Sequence, residues 1–241
     1  NTGVELALRV TPVRTSSGFK WDLYGTFTRN RSEVKEIYPG TEQIVLGGLS
    51  GMSVVAAVGK PYGTFYTRSF NYIDGDKIIV DSASGLPIVS STAQYFGSYN
   101  PDYQASWGTT LSYKGFSLNV LFDTKQGGMF YSRTRDIMAF VGTSKETENR
   151  DEQVWANSVY LGSDGQYHTN TTPYSPYVYY TSSGQRPESE NLVNASYVKL
   201  REASLTYTFP SKWFNKTYVG GASVSLYGNN LAIWTPESNK Y

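Results

Sequence analysis

Hydrophobic and polar residues alternate along three separated stretches of this chain. Val4, Leu6, Leu8 and Val10 alternate with Glu5, Ala7, Arg9 and Thr11, and Phe19, Trp21, Leu23 and Phe27 alternate with Lys20, Asp22, Tyr24, Thr26 and Thr28. A period of two residues is the signature of a strand whose faces meet different surroundings. Pro12 and the Ser16-Ser17-Gly18 cluster between the two runs predict a turn, so together they read as a long hairpin. The second pair is 103–113 and 116–122. Tyr103, Ala105, Trp107, Thr109, Leu111 and Tyr113 share one face of the first strand, Phe116, Leu118, Val120 and Phe122 share one face of the second, and Lys114-Gly115 is the connection. The third pair sets Ala203, Leu205, Tyr207 and Phe209 against Ala222, Val224 and Leu226, with Pro210 stopping the first strand and 211–217 connecting them. Strands of ten or more residues exceed the five or six usual in globular sheets and favour a barrel wall. The alternate positions here are small and polar, as on a sheet with lipid on one side and a wet lumen on the other.

Between the pairs the pattern dissolves. Residues 127–191 are rich in Gly, Ser, Thr, Asn and Tyr and read as one long irregular excursion, with a helix-compatible stretch near 135–141. Excursions of that length are unusual inside a compact soluble domain, whereas outer-membrane barrels place long loops on the extracellular side.

Composition sharpens this picture. The chain has 241 residues and a formal net charge of +1, so nothing in its charge points to a nucleic-acid partner. With 21 Tyr, 11 Phe and 5 Trp it is 15% aromatic, yet its mean hydropathy is −0.41. A membrane helix needs about 20 consecutive apolar residues, and the most apolar stretch, 52–58, is far shorter. A barrel strand needs only about 9–11 alternating residues with aromatic girdles at the interfaces, so its average hydropathy can look soluble. A secreted carbohydrate-binding β-sandwich rich in Tyr fits the same totals. Cysteine is absent, which excludes disulfides and thiolate metal sites. No targeting signal is visible at Asn1.

Several motifs carry residue types capable of chemistry. His168 lies in a polar loop without partners at metal-ligand or catalytic spacing. The acidic pairs Glu146/Glu148 and Asp151/Glu152 read as solvated loop acids. The segment 47–51, Gly-Gly-Leu-Ser-Gly, lacks the Lys-Ser/Thr of a phosphate loop and reads as a turn, and Asp74-Gly75-Asp76 lacks the distal Glu of a calcium loop and reads as a turn between strands. No cofactor is expected. Tyr174, Tyr177, Tyr179 and Tyr180, spaced by Pro173 and Pro176, read as a rigid aromatic loop, the candidate for contact with a ligand or a partner; the alternative is a packing cluster.

One order of motifs runs along nearly the whole chain. It comprises 75–81 (Gly-Asp-Lys-Ile-Ile-Val-Asp), Gly85-Leu86-Pro87, 96–103 (Phe-Gly-Ser-Tyr-Asn-Pro-Asp-Tyr), Gly115-Phe116-Ser117-Leu118, Gly127-Gly128, 147–152 with Arg150 and Asp151, 195–210 (Ala-Ser-Tyr-Val-Lys-Leu-Arg through Phe209-Pro210), and Gly228-Asn229-Asn230-Leu231. These pieces resemble the SusC/RagA-like TonB-dependent outer-membrane transporters of Bacteroidota. The resemblance implies an all-β chain in which 1–241 is a C-terminal portion of a transmembrane antiparallel β-barrel with long extracellular loops. It implies plug and N-terminal domains outside this chain. By residue arithmetic, a 22-stranded plugged barrel uses roughly 220 residues in strands alone, so about eight to ten strands fit here. The expected function is TonB-dependent uptake of an oligosaccharide, or a peptide as second choice, across the cell outer membrane. No catalysis is expected. The expected partners are a SusD-like surface lipoprotein, TonB through the part not present, and outer-membrane lipid. Tyr241, after the non-strand residues 236–240, reads as a coincidence rather than a terminal barrel-assembly signal.

Overall fold

The computed structural model describes residues 1–182, 184–215 and 218–239. Tyr241 and part of the 211–217 connection lie outside the described residues. The chain divides into two compact units, one built from 1–32, 101–128 and 195–237, the other from 33–100, 129–194 and 238–241.

The first unit is a single six-stranded antiparallel sheet. Its strands Thr2–Arg14, Lys20–Arg31, Tyr103–Tyr113, Phe116–Gln126, Tyr197–Thr208 and Ser223–Trp234 lie side by side in chain order. All three predicted pairs are present. The tightest turn needs positive φ at both central residues, and Lys114 (45°) and Gly115 (89°) supply it. A Cβ on Gly115 would also lie 2.7 Å from the Thr208 carbonyl oxygen. The short connections fall at one end of the strands, and both long excursions leave and rejoin the sheet at the other.

Two expectations change in detail. Pro12 does not end the first strand: the ladder shifts register between Val10 and Val13, and the strand runs on to Arg14. A bulge absorbs a residue that has no N–H to donate. The fifth strand also extends further back than the apolar run from Ala203 suggests, to Tyr197. Leu200 and Ala203 lie three apart, so both can face the same side only if the strand slips by one residue. The ladder shifts there, with Phe122 opposite Leu200 and Leu121 opposite Glu202, leaving Arg201 as the extra residue.

With that slip the register brings apolar residues into rows, interrupted by Thr109, whose hydroxyl accepts from Trp21 Nε1, and Thr124, whose hydroxyl donates to the Tyr197 carbonyl. Leu6, Phe27, Ala105, Thr124, Val198 and Trp234 form one row; Val10, Leu23, Thr109, Val120, Ala203 and Gly228 another; and Trp21, Leu111, Leu118, Leu205 and Leu226 a third. Aromatic rings gather at both margins of this face. Phe27 stacks on Tyr103 (5.6 Å) at one margin, Phe116 meets Tyr207 (4.5 Å) and Tyr207 meets Phe209 (5.1 Å) at the opposite one, and Trp107 stacks on Phe122 (5.5 Å) nearer the middle of the strands. Tyr103 and Tyr113 stand ten residues apart on one strand. At about 3.4 Å per residue and a tilt of about 40° they are about 26 Å apart along the barrel axis, the height of the apolar band on an outer-membrane barrel.

The second unit holds the residues that looked irregular. Its sheets are Gln43–Leu49, Met52–Ala57, Thr64–Thr67 and Gln94–Ser98; Tyr167–Thr169, Ser158–Leu161, Lys77–Ile79 and Tyr72–Ile73; and the pair Met129–Tyr131 with Leu192–Asn194. This corrects two expectations. Among the described residues six long strands form the wall, fewer than eight to ten, because 33–100 and 129–194 go to a second unit with its own core. The 47–51 segment is not one turn: Gly47 and Gly48 sit in a strand, and the turn is Ser50-Gly51, with φ of 53° and 85°. A Cβ on Gly48 would lie 2.5 Å from the Met52 carbonyl oxygen across the hairpin, so close strand approach explains that glycine. The stretch near 135–141 is helical, Arg133–Phe140, with the Ser132 hydroxyl accepting from the Arg135 N–H at 3.2 Å as an N-cap.

Candidate functional site

The polar face of the wall sheet carries a connected set of side chains. Asn119 Oδ1 accepts from Tyr24 Oη (2.8 Å) and from Thr110 Oγ1 (3.0 Å), while its Nδ2 donates to Glu202 Oε1 (3.0 Å). One strand further, Arg201 donates from Nε and Nη2 to the two oxygens of Asp123 (2.9 and 2.7 Å) and from Nη1 to Asn230 Oδ1 (2.9 Å), and Tyr197 Oη donates to Asp123 (3.2 Å). The paired donors of guanidinium match the two carboxylate oxygens, which fixes Arg201 in direction as well as charge. The bulge puts the neighbours Arg201 and Glu202 together on this face, where strict alternation would send them to opposite sides. Sequence reading placed no functional residue here; the visible clue was the phase change between Leu200 and Ala203.

The four tyrosines of the aromatic loop do not form one exposed cluster. Pro176–Thr181 is a short helix with Pro176 in its first turn. It turns Tyr179 inward (3% exposed) and leaves Tyr177 outward (76% exposed). Tyr174 and Tyr179 are part of a core with Phe70 and Leu86, against which Ile78, Val89, Trp155 and Tyr180 pack. Trp155 lies parallel to Tyr174 at 5.2 Å and edge-on to Tyr179 at 5.2 Å. Tyr180 is partly buried, its hydroxyl donating to the Glu146 carbonyl at 3.1 Å. The physical reason is helical geometry, which sends neighbours two apart to opposite sides, whereas an extended loop leaves them alike. Burial pushes the Tyr179 hydroxyl far above the ordinary tyrosine range, and burial with the nearby Glu146 pushes Tyr180 up to about 12. Both are neutral hydrogen-bonding groups at physiological pH.

Beside this core lies a charged cluster that the sequence did not announce. Glu146 meets Arg135 at 3.1 Å and Arg186 at 3.7 Å, and the Arg186 guanidinium, 9% exposed, stands 5.9 and 5.3 Å from the Tyr179 and Tyr180 rings. Glu146 is therefore a half-buried ion-pair member and not the solvated loop acid expected. Burial raises the carboxyls of Glu188 and Glu190 above the usual range, and Tyr131 Oη donates to Glu188 at 2.5 Å.

The remaining motifs resolve locally. Asp74-Gly75-Asp76 is the turn between Tyr72–Ile73 and Lys77–Ile79. Asp81 caps a second turn, Oδ1 accepting from the Ala83 and Ser84 N–H groups at 3.1 and 2.8 Å, and Gly85 (φ 67°) lets the Thr172 carbonyl approach to 2.5 Å of where a Cβ would stand. His168, on the surface, meets Asp164 at 3.0 Å. Among the described residues no group of three His, Cys, Asp or Glu is placed to hold a metal ion, and no helix is long and apolar enough to cross a membrane.

No protein-family profile matches the chain. Over 99% of its length it is 22% identical to TonB-dependent receptor P3 of Formosa agariphila, and over 98% it is 26% identical to TonB-dependent receptor P26 of the same organism. It spans about a quarter of the length of those relatives, 25% and 24%. Among solved structures, the RagAB peptide transporter superposes with a TM-score of 0.67 at 21% identity, covering 98% of this chain and 26% of that one. The RagAB peptide importer in its open-open state superposes with a TM-score of 0.65 at 21% identity. The proteins it resembles are receptors and transporters. Two-faced wall strands, motif order and these likenesses along the whole chain agree: this is a segment similar to TonB-dependent receptors of Bacteroidota, with the fold of part of the RagAB transporter.

Proposed function

We propose that this chain is a C-terminal part of the barrel wall of a SusC-like, TonB-dependent importer in the cell outer membrane of a Bacteroidota bacterium. The observation that carries the reading is the two-faced sheet. Apolar residues fill one face in rows between two aromatic margins, and the opposite face holds Asp22, Asn119, Asp123 and Glu202 in hydrogen bonds. A lipid-facing outside and a water-filled inside demand this division. The runner-up, a secreted carbohydrate-binding β-sandwich, would cover the apolar face with a second sheet, yet Leu6 and Leu226 remain 62% and 76% exposed.

In this reading the end with short turns, including Lys114-Gly115, is periplasmic, and the second unit is built from extracellular excursions. Nutrient moves through the barrel without any bond being made or broken. Plug, TonB contact and closure of the barrel belong to the rest of the polypeptide. A SusD-like surface lipoprotein covers the mouth, with exposed Tyr177 among the contacts available to it. The substrate is an oligosaccharide or a peptide, and the RagAB name supports the second possibility.

The test is deletion of the gene containing this segment, followed by growth and uptake of labelled oligosaccharides and oligopeptides as sole nutrients, with membrane fractionation of the tagged protein. Outer-membrane localisation with loss of uptake of one substrate class is expected. A protein recovered in the medium or the soluble fraction would sink the proposal.

A further inference from the structure

The second unit contains a cavity of about 270 Å³ that the uptake reading leaves without a role. Its walls come from the Tyr72–Ile73 and Lys77–Ile79 hairpin and from the Ser158–Leu161 and Tyr167–Thr169 pair. Asp74 and Lys77 stand on one side, Ser158 and Asn170 are buried within it, and Trp155 and Tyr167 supply aromatic surface.

Three features define what could enter. The volume falls below the roughly 300–1,000 Å³ typical of drug-sized ligands, so the occupant is a single ring and not an extended chain. The lining mixes carboxylate, ammonium, amide and hydroxyl groups. The Ser158 hydroxyl already donates to the Trp155 carbonyl (2.7 Å) and the Asn170 amide is tied to the Thr172 backbone, so Ser158 keeps acceptor capacity and Asn170 a second N–H for a ligand. A polyhydroxylated ring matches that mixture because every hydroxyl can do both. Asp74 and Lys77 pair at 3.0 Å and neutralise one another, so neither is left to draw a charged ligand terminus. Tyr167 is 43% exposed, leaving ring surface available. Alternation on its strand sends His168 to the other side, where it meets Asp164. Trp155 Nε1 is buried without a hydrogen-bond partner, which is uncommon for an indole N–H.

We propose that this cavity is a subsite for one neutral pyranose ring, gripped by Asn170, Ser158 and Asp74 and lying against Tyr167. The proposal rests on the uptake reading for its physiological meaning and commits this one site, not the transported cargo, to a glycan. It concerns binding to the folded protein, so it can fail while TonB-dependent uptake stands, and can hold if uptake proves to be of something else.

The experiment is calorimetric titration of the full-length detergent-solubilised protein with methyl glycosides of glucose, galactose, mannose and N-acetylglucosamine, and with a neutral blocked dipeptide. At least one glycoside should bind with millimolar or tighter affinity. Tyr167→Ala, an exposed change, should weaken that binding by about 10-fold, the factor corresponding to about 1.4 kcal/mol. Asn170→Asp, which keeps the acceptor in its turn, should weaken it as well, and Tyr38→Ala, at a 78% exposed position elsewhere in the unit, should leave it unchanged. The Tyr167 variant is checked for an unaltered melting profile, so that lost binding is not lost folding. The proposal is overturned if none of the glycosides binds, if bound glycoside is indifferent to Tyr167→Ala, or if the dipeptide binds in competition and more tightly.

Discussion

The two units bury their aromatic residues for opposite reasons. In the wall sheet the rings stand on an open apolar face: Trp107 is 45% exposed, Phe116 53% and Trp234 53%. In the second unit Phe70 and Tyr179 are both 3% exposed inside a closed core. A sheet one layer thick has no interior, so it hides apolar area only in surroundings that are themselves apolar. The second unit makes its own dry interior by packing strands, a short helix and the Arg186 guanidinium around Tyr179. The same side-chain type is therefore an anchor in one unit and a keystone in the other, and burial, not residue identity, separates the two roles.

The largest expected effect breaks the comparison from the core side. Tyr179→Ala should cost the second unit about 3–5 kcal/mol, as for large aromatic truncations in closed cores, while the wall strands keep their protection. Hydrogen exchange resolved by segment measures both; equal loss in the two units would mean they do not differ as described. The wall answers to a different change. Val120 stands in the row midway between Tyr103 and Tyr113, so Val120→Arg should cost about 2–4 kcal/mol in a lipid environment. Leu226→Arg, nearer the margin, should cost less. Unfolding in lipid vesicles that is indifferent to Val120→Arg would remove the lipid-facing assignment.

Acidity sharpens the contrast further. Glu188 and Glu190 have carboxyls raised by burial, so in the folded unit they hold protons at a pH where the unfolded chain has released them. Stability from that source is fully present below the ordinary glutamate value of 4.5 and is lost as pH rises through the raised values. The second unit should therefore tighten as pH falls from neutral toward 5, and Glu190→Gln should flatten part of that slope. Asp81 and Asp164 act in reverse, their lowered carboxyls weakening the unit only at more acidic pH. A proteolysis series across pH with wild type and E190Q checks the sign. On the polar face of the wall, Asp123→Asn should change stability by only about 0–1 kcal/mol, because the pair with Arg201 is partly wet. The smallest effect is at Tyr177. Its replacement by Ala should shift stability by less than about 0.5 kcal/mol, yet weaken uptake or co-purification of a lipoprotein. Wild-type behaviour in both assays would leave Tyr177 a surface residue without a contact.

Much of the wall was legible because alternation is a local property. Each strand of Tyr103–Tyr113 and Phe116–Gln126 carries its own period of two, and Lys114-Gly115 carries its own turn, so no distant residue is needed to read them. The breaks in alternation were harder. Pro12 and Arg201 look like a stop and a misplaced charge in the linear pattern, and only partner strands reveal each as a bulge. The second unit was least legible, since its strands are two to seven residues long and its core joins Phe70, Leu86, Trp155 and Tyr179 from distant parts of the chain.

By itself, then, the sequence determined the strand pairs and their two faces, because backbone geometry converts a period of two directly into sides. The tertiary structure alone decided that Tyr174 and Tyr179 are interior while Tyr177 is not, that Glu146 pairs with two arginines, and that Asp74, Tyr167 and Asn170 enclose one cavity. Those outcomes depend on which distant segments meet, and contacts between residues far apart in the chain leave no periodic trace in any one of them.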